Sequence, residues 1–286
     1  MTKTSVAILK GKQPSKMIQK ALGLIRANEL IKPDDKVLIK PNYVVAEHPS
    51  TGITTDSRVV ECLIAFARSL GVEDIVVGEG GAGDTERAFD VVGIRDVTRS
   101  LKVGLVNLNK DSRIQVRVPQ ALALHQIGIA ETALKSTRII NVPTLKVHHI
   151  ALVTLCMKNL MGLIIPKMIM HSHINEKIVD LASLFKGKVK INIVDGLVGS
   201  EVDEVNGSPV KMNLIIAGQD MVAVDTVATA VMGIDPNKVK YLTLAQETGL
   251  GVSNLKEIEV LGENIEEIER KFRLPSTFKR LAITQT

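Results

Sequence analysis

The segments KVLIKPN (36–42), TTDSRVVECLIAFARSLGV (54–72) and DIVVG (74–78) decide the fold, because together they predict one strand–helix–strand unit. Two short runs rich in Val and Ile flank a segment whose apolar residues recur every three or four positions, as on one face of a helix. Thr55, Asp56 and Ser57 each offer a cap for the start of that helix, and Gly71 is placed to end it. Strands joined through a helix in this way run parallel to each other.

The same alternation of strand and helix continues along the chain. Further strands are predicted at SVAIL (5–9), VGLVNL (103–108), RIINV (138–142), KINIV (190–194), NLIIAG (213–218) and EIEVLG (257–262). Further helices are predicted at 14–28, 128–135, 150–162, 174–185, 220–232, 237–247 and 263–271. This order predicts an α/β protein with a largely parallel sheet, or sheets, and helices on both faces. Two Rossmann-like halves are one arrangement of that class.

The length of the chain fits two domain organisations. A chain of 286 residues can form a single unit over 1–286. The stretch 109–127 shows neither a helical nor a strand period, and is therefore the candidate linker. A linker there would divide the chain into an N-terminal lobe at 1–120 and a C-terminal lobe at 121–286.

Composition excludes several classes of function. Aromatic residues are 2% of the chain and the net charge of +5 is scattered, so we expect no nucleic-acid partner. Cys62 and Cys156 are the only cysteines, too few for a disulfide scaffold or an iron-sulfur cluster held by cysteines of this chain. The most apolar region, 147–166, is interrupted by Lys158 and Asn159, so we expect no membrane partner and a cytoplasmic location.

Polar side chains follow three of the predicted strands. KVLIK ends on Lys40 and is followed by Asn42, RIINV leads to Lys146 and His148, and KINIV runs into Asp195. The carboxyl ends of parallel strands meet at one edge of a sheet, where ligands of open α/β folds bind. These residues therefore predict a shared site for an anion or a metal. Capping of helices and loop amides is the alternative for each of them.

The predicted helix 150–162 carries a lysine inside an apolar segment. Thr154 and Lys158 would stand four residues apart on one helical face, with Asn159 beside them. A lysine in such surroundings needs solvent, a carboxylate or an anionic ligand, because an unpaired buried charge is costly. Asp225 lies in an equally apolar predicted helix and is expected to have one of these lysines as its partner.

Four of the six histidines cluster between 148 and 173. In an extended segment His171 and His173 would point to the same side, as two metal ligands do. His173 and Asp195 are the candidate metal ligands for a divalent cation. Structural or surface roles for these histidines are the alternative. The glycine-rich loop VGEGGAGDT (77–85) is interpreted as a flexible connection, because its spacing matches no phosphate-binding fingerprint.

Several segments resemble the DUF362 family, a domain of unknown function. They are VLIKPN (37–42), PTLKVHH (143–149), TLCMKNLMG (154–162), HINEKIVDL (173–181), INIVDG (191–196), GSEVDEVNGSPV (199–210), AGQDMVAVDTVATAVMG (217–233) and ETGLG (247–251). The resemblance places the family's polar motif residues at Lys40, Asn42, Lys146, His148, Thr154, Lys158, Asn159, His173, Asp180, Asp195 and Asp225. Some members are iron-sulfur proteins, whereas this chain lacks the cysteines for a cluster of its own.

These observations lead to one functional hypothesis and two alternatives. We expect an enzyme that binds a small carboxylate or phosphate substrate, with a divalent metal as an optional aid. The expected catalytic residues are His148, Lys158 and Asp195, and the expected ligand-binding residues are Lys40, Asn42, Lys146, Thr154 and Asn159. One alternative is a non-catalytic module for a separate ferredoxin-like or cofactor-assembly partner; the other is a small-molecule sensor. A homodimer through the Met- and Ile-rich stretch 161–170 is a further expectation.

Overall fold

A computed structural model describes residues 4–278 of the chain. The strands in that range are β1 (Thr4–Lys10), β2 (Val37–Lys40), β3 (Ile75–Glu79), β4 (Gly104–Asn107), β5 (Arg113–Arg117), β6 (Gln126–Ala130), β7 (Arg138–Asn141), β8 (Thr144–His148), β9 (Leu152–Thr154), β10 (Val189–Glu201), β11 (Ser208–Gly218) and β12 (Ile258–Gly262). The α-helices are α1 (Pro14–Leu24), α2 (Ser57–Ser69), α3 (Thr85–Val91), α4 (Ile94–Leu101), α5 (Glu131–Lys135), α6 (Cys156–Asn159), α7 (Ile174–Phe185), α8 (Met221–Val231), α9 (Lys240–Glu247) and α10 (Ile265–Ile268).

Ten of these strands form one sheet, in the order β12-β1-β11-β10-β7-β2-β3-β4, with β8 paired to β10 and β9 paired to β8. Within the described chain, β9 and β11 alone run against the other strands of this sheet. The remaining two strands, β5 and β6, form a separate antiparallel pair. The predicted fold class, α/β with a largely parallel sheet, is confirmed. The division into domains stays a prediction.

The sheet separates two apolar cores, because alternate residues of each strand point to opposite faces. In β1, Val6 and Ile8 pack into the core that contains α7, α8 and α9, whereas Ala7 and Leu9 pack into the core that contains α1, α2 and α4. Helices therefore cover both faces of the sheet and bury its central strands, whereas the edge strands β4 and β12 are partly exposed.

Two sequence predictions of local structure were wrong. The stretch 109–127 contains β5 and the start of β6, whose pairing with each other supplies the regularity that the sequence pattern lacked. The predicted helix 150–162 is a strand, β9, followed by the single turn of α6. Residues 151–157 include an almost continuous apolar run, and such a run does not distinguish a buried strand from a buried helix.

Candidate functional site

The candidate site lies at the carboxyl end of β2, where the order of strands in the sheet reverses. From β2 the chain continues to β3 and β4 on one side, whereas β7 and β10 pack on the other side. Ligands of open α/β sheets bind at such a reversal. A cavity of about 200 Å³ opens there. Its polar lining consists of Lys40, Asn42, Glu79, Lys146, His148, His149, Thr154, Lys158, Asn159, Lys167, His171 and Glu204. We call it the lysine pocket.

Lys40 and Glu79 form a buried ion pair at the base of the lysine pocket. The two residues end the neighbouring parallel strands β2 and β3, and their side chains are 0% and 3% exposed. Nζ of Lys40 donates to both carboxylate oxygens of Glu79, at 2.9 and 2.8 Å, and to the carbonyl oxygen of Pro41 at 2.7 Å. The amides of Tyr43 and Gly80 also donate to Glu79. Lys40, predicted as an anion clamp, therefore already has its acceptors within the protein.

A row of asparagine side chains links this ion pair to the next lysine. Oδ1 of Asn159 accepts from Nζ of Lys40 and from Nδ2 of Asn42, whereas Nδ2 of Asn159 donates to Oδ1 of Asn141 at 2.8 Å. Oδ1 of Asn42 then accepts from Nζ of Lys146 at 2.8 Å. Asn42 and Asn159 were predicted as ligand-binding residues. In the structure, Asn159 accepts from Lys40 and Asn42 accepts from Lys146, so the two amides position the two lysines.

Lys146 is 1% exposed and has no carboxylate partner in the described residues. Its Nζ donates to Oδ1 of Asn42 and to the carbonyl oxygen of Ile53. Burial, followed by the nearby charge of Lys158, lowers the pKa of Lys146 to about 7. The Lys146 side chain therefore loses its proton in the neutral range unless an anion enters the pocket.

Lys158 and Thr154 present polar atoms that have no partner in the described protein. Oγ1 of Thr154 is buried and makes no hydrogen bond. Nζ of Lys158 makes no hydrogen bond or ion pair within residues 4–278, and burial lowers the pKa of this ammonium to about 8, although the charge of Glu204 opposes that shift. Thr154 stands opposite Lys146 in the β8–β9 pairing. The predicted helical face of Thr154 and Lys158 does not form; the hairpin brings Thr154 beside Lys146, and both residues still line the lysine pocket.

His148 is held as a neutral imidazole. Its Nδ1 accepts from the backbone amides of Ile150 and Ala151, at 3.0 and 3.1 Å, so the ring proton resides on Nε2. Burial and the neighbouring Lys158 keep the pKa of His148 well below its usual value. Nε2 lies 3.6 Å from Oε1 of Glu204. His148 therefore presents an N–H donor, and not a positive charge, to the pocket.

One group of side chains in the described range has metal-ligand spacing. The ligand atoms of His148, His149 and Glu204 lie within 4.8 Å of one another. A histidine that binds a metal through Nε2 normally donates its Nδ1–H to an acceptor. In His148 the opposite holds, because two amides donate to Nδ1, and Nε2 has no lone pair for a metal. The donor set of these three residues therefore does not fit a divalent cation as it stands.

The glycine-rich loop after β3 reaches the lysine pocket through Gly80 and Gly81. Its amides are already used inside the protein, since Gly80 donates to Glu79, Gly81 donates to Oγ1 of Thr85, and residues 82 and 83 donate to the carbonyl oxygen of Val44. A phosphate-cradling loop presents free amides to its ligand. The loop therefore shapes the wall of the pocket and offers no anion-binding amides of its own.

The family model described as "Domain of unknown function (DUF362)" matches residues 37–230, which include every residue of the lysine pocket named above. The chain belongs to the DUF362 family. The thylakoid-associated protein sll1697 of Synechocystis sp. is 23% identical over 230 residues, which are 77% of this chain and 70% of that protein. The lactate racemase apoprotein of Thermoanaerobacterium thermosaccharolyticum has a TM-score of 0.49 and 13% identity, over 81% of this chain and 57% of the length of that chain.

Two predicted site residues of this DUF362 protein lie outside the lysine pocket. Asp195 lines a different cavity; its carboxylate accepts from the amides of Asp56 and Leu197, so it caps the approach to α2. His173 is exposed, with φ of 51°, at the residue before α7. The expected convergence of Lys40, Lys146, His173 and Asp195 therefore holds for the two lysines only. Asp195 lies within β10, where its carboxylate binds backbone amides, and His173 lies in the turn that leads into α7.

Two further DUF362 motif aspartates support the architecture around the pocket. The carboxylate of Asp225 accepts from the amides of Cys156 and Met157, at 2.6 and 3.0 Å, and so anchors the start of α6. The expected lysine partner of Asp225 was wrong, because these amides take that place. Asp180 accepts from the amides of residues 122, 123 and 124. Both carboxylates satisfy buried backbone groups that would otherwise lack acceptors.

The sequence reasoning missed Glu79, Glu204 and Lys167 as residues of the pocket. Glu79 ends β3 just as Lys40 ends β2, so the rule that parallel strand ends meet could have paired them. Glu204 follows β10 and reaches the pocket by contacting His149, for which the sequence carries no local signal. Lys167 contacts Asn109, which is far from it in sequence, and no local pattern indicated that the two residues meet.

The α-helices of the described residues have at most 13 residues. None of them, within residues 4–278, is long and apolar enough to cross a bilayer.

Proposed function

We propose that this DUF362 protein is an enzyme whose substrate is a small carboxylate or phosphate anion bound in the lysine pocket. One observation carries the proposal: Lys146 and Lys158 line the same cavity, and in the described chain neither makes a hydrogen bond or ion pair with a carboxylate, although the charge of Glu204 acts on both. Lys146 is buried and Lys158 is half-buried. An ammonium shielded from water without a contacting counter-charge is costly, and an anionic ligand removes that cost. The hydroxyl of Thr154, which also lacks a partner, adds a neutral donor to the same cavity.

The net charge of the pocket supports an anionic ligand. Four lysines (Lys40, Lys146, Lys158 and Lys167) face two glutamates (Glu79 and Glu204), which leaves an excess of two positive charges when all six groups are ionised. The cavity of about 200 Å³ suits a compact anion and not a nucleotide. A concave pocket of this kind supports an enzyme over a flat docking patch for a protein partner.

His148 supports catalysis in addition to binding. Its N–H at Nε2 faces the cavity beside Glu204, and its Nδ1 is locked by two backbone amides. A donor held in one orientation can stabilise negative charge that develops on a bound substrate. Lys158 and Thr154 would hold the anionic group, while His148 would face the reacting atoms. A divalent metal is not part of this proposal, because the two residues predicted to bind it, His173 and Asp195, do not line the lysine pocket.

Removing the Lys158 charge tests the proposal directly. We expect Lys158→Met to weaken binding of propionate or phosphate by about 10- to 100-fold, because a hydrogen bond to a charged group contributes about 1.5–3 kcal/mol. Isothermal titration calorimetry would measure the affinity. Lys16→Met, a substitution of an exposed lysine in α1, is the matched control and should leave the affinity unchanged. Equal affinities for the two variants would contradict an anion site at Lys158.

Anion affinity is expected to fall as pH rises from about 6 to 9. A lysine is charged below its pKa, and the pKa values of Lys146 and Lys158 are about 7 and 8. The charges of Lys158 and Lys40 lower the pKa of Lys146, whereas Glu204 and Glu79 raise it. Because a bound anion favours the charged lysines, binding near pH 8 takes up protons. The binding enthalpy measured in buffers of different ionisation enthalpy would show this uptake, and Lys158→Met should reduce it. A pH-independent affinity would argue against both lysines.

A further inference from the structure

We propose that Lys146 is the nucleophilic amine of the pocket, and that it forms an imine with a small anion that carries an aldehyde or ketone group, such as a 2-oxo acid. This inference rests on the proposed function and adds the class of substrate and the covalent step. It assigns different tasks to the two lysines: Lys158 binds the carboxylate, and Nζ of Lys146 attacks the carbonyl carbon.

The hydrogen bonds of Lys146 match a neutral amine. A neutral amine has two N–H groups and one lone pair, whereas an ammonium has three N–H groups and no lone pair. Nζ of Lys146 has two acceptors in the described protein, Oδ1 of Asn42 at 2.8 Å and the carbonyl oxygen of Ile53 at 2.9 Å. These two acceptors use both N–H groups of the neutral form, and leave the lone pair free. The third N–H of an ammonium would have no acceptor among the described residues.

The orientation of the Asn42 amide follows from its neighbours. Nζ of Lys40 can only donate, so the atom of Asn159 that contacts it must be the oxygen. The nitrogen of Asn159 then faces the carbonyl oxygens of Lys40 and Pro41, which can only accept. Asn42 therefore turns its nitrogen to Asn159 and its oxygen to Lys146. The hydrogen bonds of Lys40 and Asn159 therefore fix which atom of the Asn42 amide faces Lys146, and that atom is the oxygen.

Lys40 is the internal contrast to Lys146. Both side chains are almost completely buried, but Nζ of Lys40 has a carboxylate, Glu79, at 2.8 Å and a third acceptor in Pro41. Lys40 thus has the partners of an ammonium, and Lys146 has the partners of an amine. The positive charge of Lys158, which has no carboxylate partner of its own in the described residues, also favours the neutral form of Lys146.

The surrounding side chains suit the carbonyl chemistry. Lys146 and His148 are two residues apart on β8 and so point to the same face, and Thr154 stands opposite Lys146 on β9. The lone pair of Nζ forms the C–N bond while the carbonyl π pair moves to oxygen, and one proton passes from nitrogen to that oxygen to give the carbinolamine. The carbinolamine then loses the second N–H proton together with that oxygen as water, which leaves a neutral C=N bond. The step needs no oxidant or reductant. The Nε2–H of His148 and the hydroxyl of Thr154 can donate hydrogen bonds to the oxygen as it leaves.

The test is reductive trapping with pyruvate and cyanoborohydride, followed by intact mass measurement and peptide mapping. We expect one adduct on the peptide that contains Lys146. Lys146→Arg should abolish that adduct, and circular dichroism would check that the variant folds. Lys158→Met, which keeps Lys146, should shift the pH of half-maximal trapping at saturating pyruvate upward by about one pH unit, because a neighbouring positive charge is removed.

Propionate, which has the carboxylate but no keto group, separates this inference from the proposed function. If propionate binds the wild-type protein but pyruvate leaves no adduct on Lys146 between pH 6 and 9, the imine inference is overturned and the anion site stands. An adduct on Lys158 or on Lys40 in place of Lys146 also overturns it. If neither acid binds or reacts, the proposed function fails together with the inference.

Discussion

Replacing Glu79 with glutamine is expected to lower the free energy of unfolding by about 3–5 kcal/mol, because it leaves the ammonium of Lys40 buried without a counter-charge. Glutamine has the size of glutamate, so the loss does not come from a cavity. Glu79 also accepts from the amides of Tyr43 and Gly80, and the side-chain oxygen of glutamine can replace the carboxylate for only one of them. Urea denaturation monitored by circular dichroism would measure the change, and the dependence of the free energy of unfolding on urea concentration should be the same for both proteins.

Two further variants separate the charge effect from general damage. Lys40→Met combined with Glu79→Gln removes both charges, so the double variant should be more stable than Glu79→Gln alone. Glu131→Gln removes one partner of the largely exposed pair with Lys135 at 3.0 Å, and should cost at most about 1 kcal/mol. If Glu79→Gln costs no more than Glu131→Gln, Lys40 is not held as a buried ammonium.

Replacing Asp225 with alanine is expected to lower the free energy of unfolding by about 2–4 kcal/mol, because two buried amides lose their acceptor. These amides belong to Cys156 and Met157, at the start of α6. The same short helix carries Lys158 and ends at Asn159, so the change should also weaken anion binding without touching the pocket itself. Denaturation and calorimetric titration of one preparation would measure both effects.

Controls for this variant come from the chain itself. Asp225→Asn keeps one acceptor oxygen and should lose less stability than Asp225→Ala. Asp235→Ala removes an exposed aspartate that accepts from the amide of Asn237, and should cost about 1 kcal/mol with no change in anion affinity. A fall in stability for Asp225→Ala with unchanged anion affinity would mean that α6 keeps its place without this carboxylate.

Gly162 illustrates how closely the chain packs around the Lys40–Glu79 pair. A Cβ at this position would lie 2.1 Å from Oε1 of Glu79 and 2.6 Å from Nζ of Lys40. Both side chains are buried and held by several hydrogen bonds, which a shift away from the new Cβ would break. Glycine is therefore required at position 162 for a steric reason. Residues 160–163, which follow α6, can pack against the ion pair only because this position has no side chain.

Part of the candidate site was predictable, namely the residues that lie at or just after the ends of predicted strands. Lys40 and Lys146 were identified as residues that follow strands, and both line the lysine pocket, because parallel strands deliver their carboxyl ends to one edge. Thr154 and Lys158 were identified because they lie in an apolar segment, where an unpaired charge is costly. Both also line the pocket, although through the β8–β9 hairpin and α6 instead of one continuous helix. Their roles in binding and catalysis stay predictions.

The alternation of short Val- and Ile-rich runs with amphipathic segments was by itself enough to determine the α/β class and the parallel sheet, because the two periodicities are local properties of the chain. Only the tertiary structure decided which charges are paired. Glu79 meets Lys40 across β2 and β3, Asp225 meets the amides of α6, and Lys146 and Lys158 are left without a carboxylate within residues 4–278. Charge pairing depends on distances between residues far apart in sequence, and a local pattern carries no information about those distances.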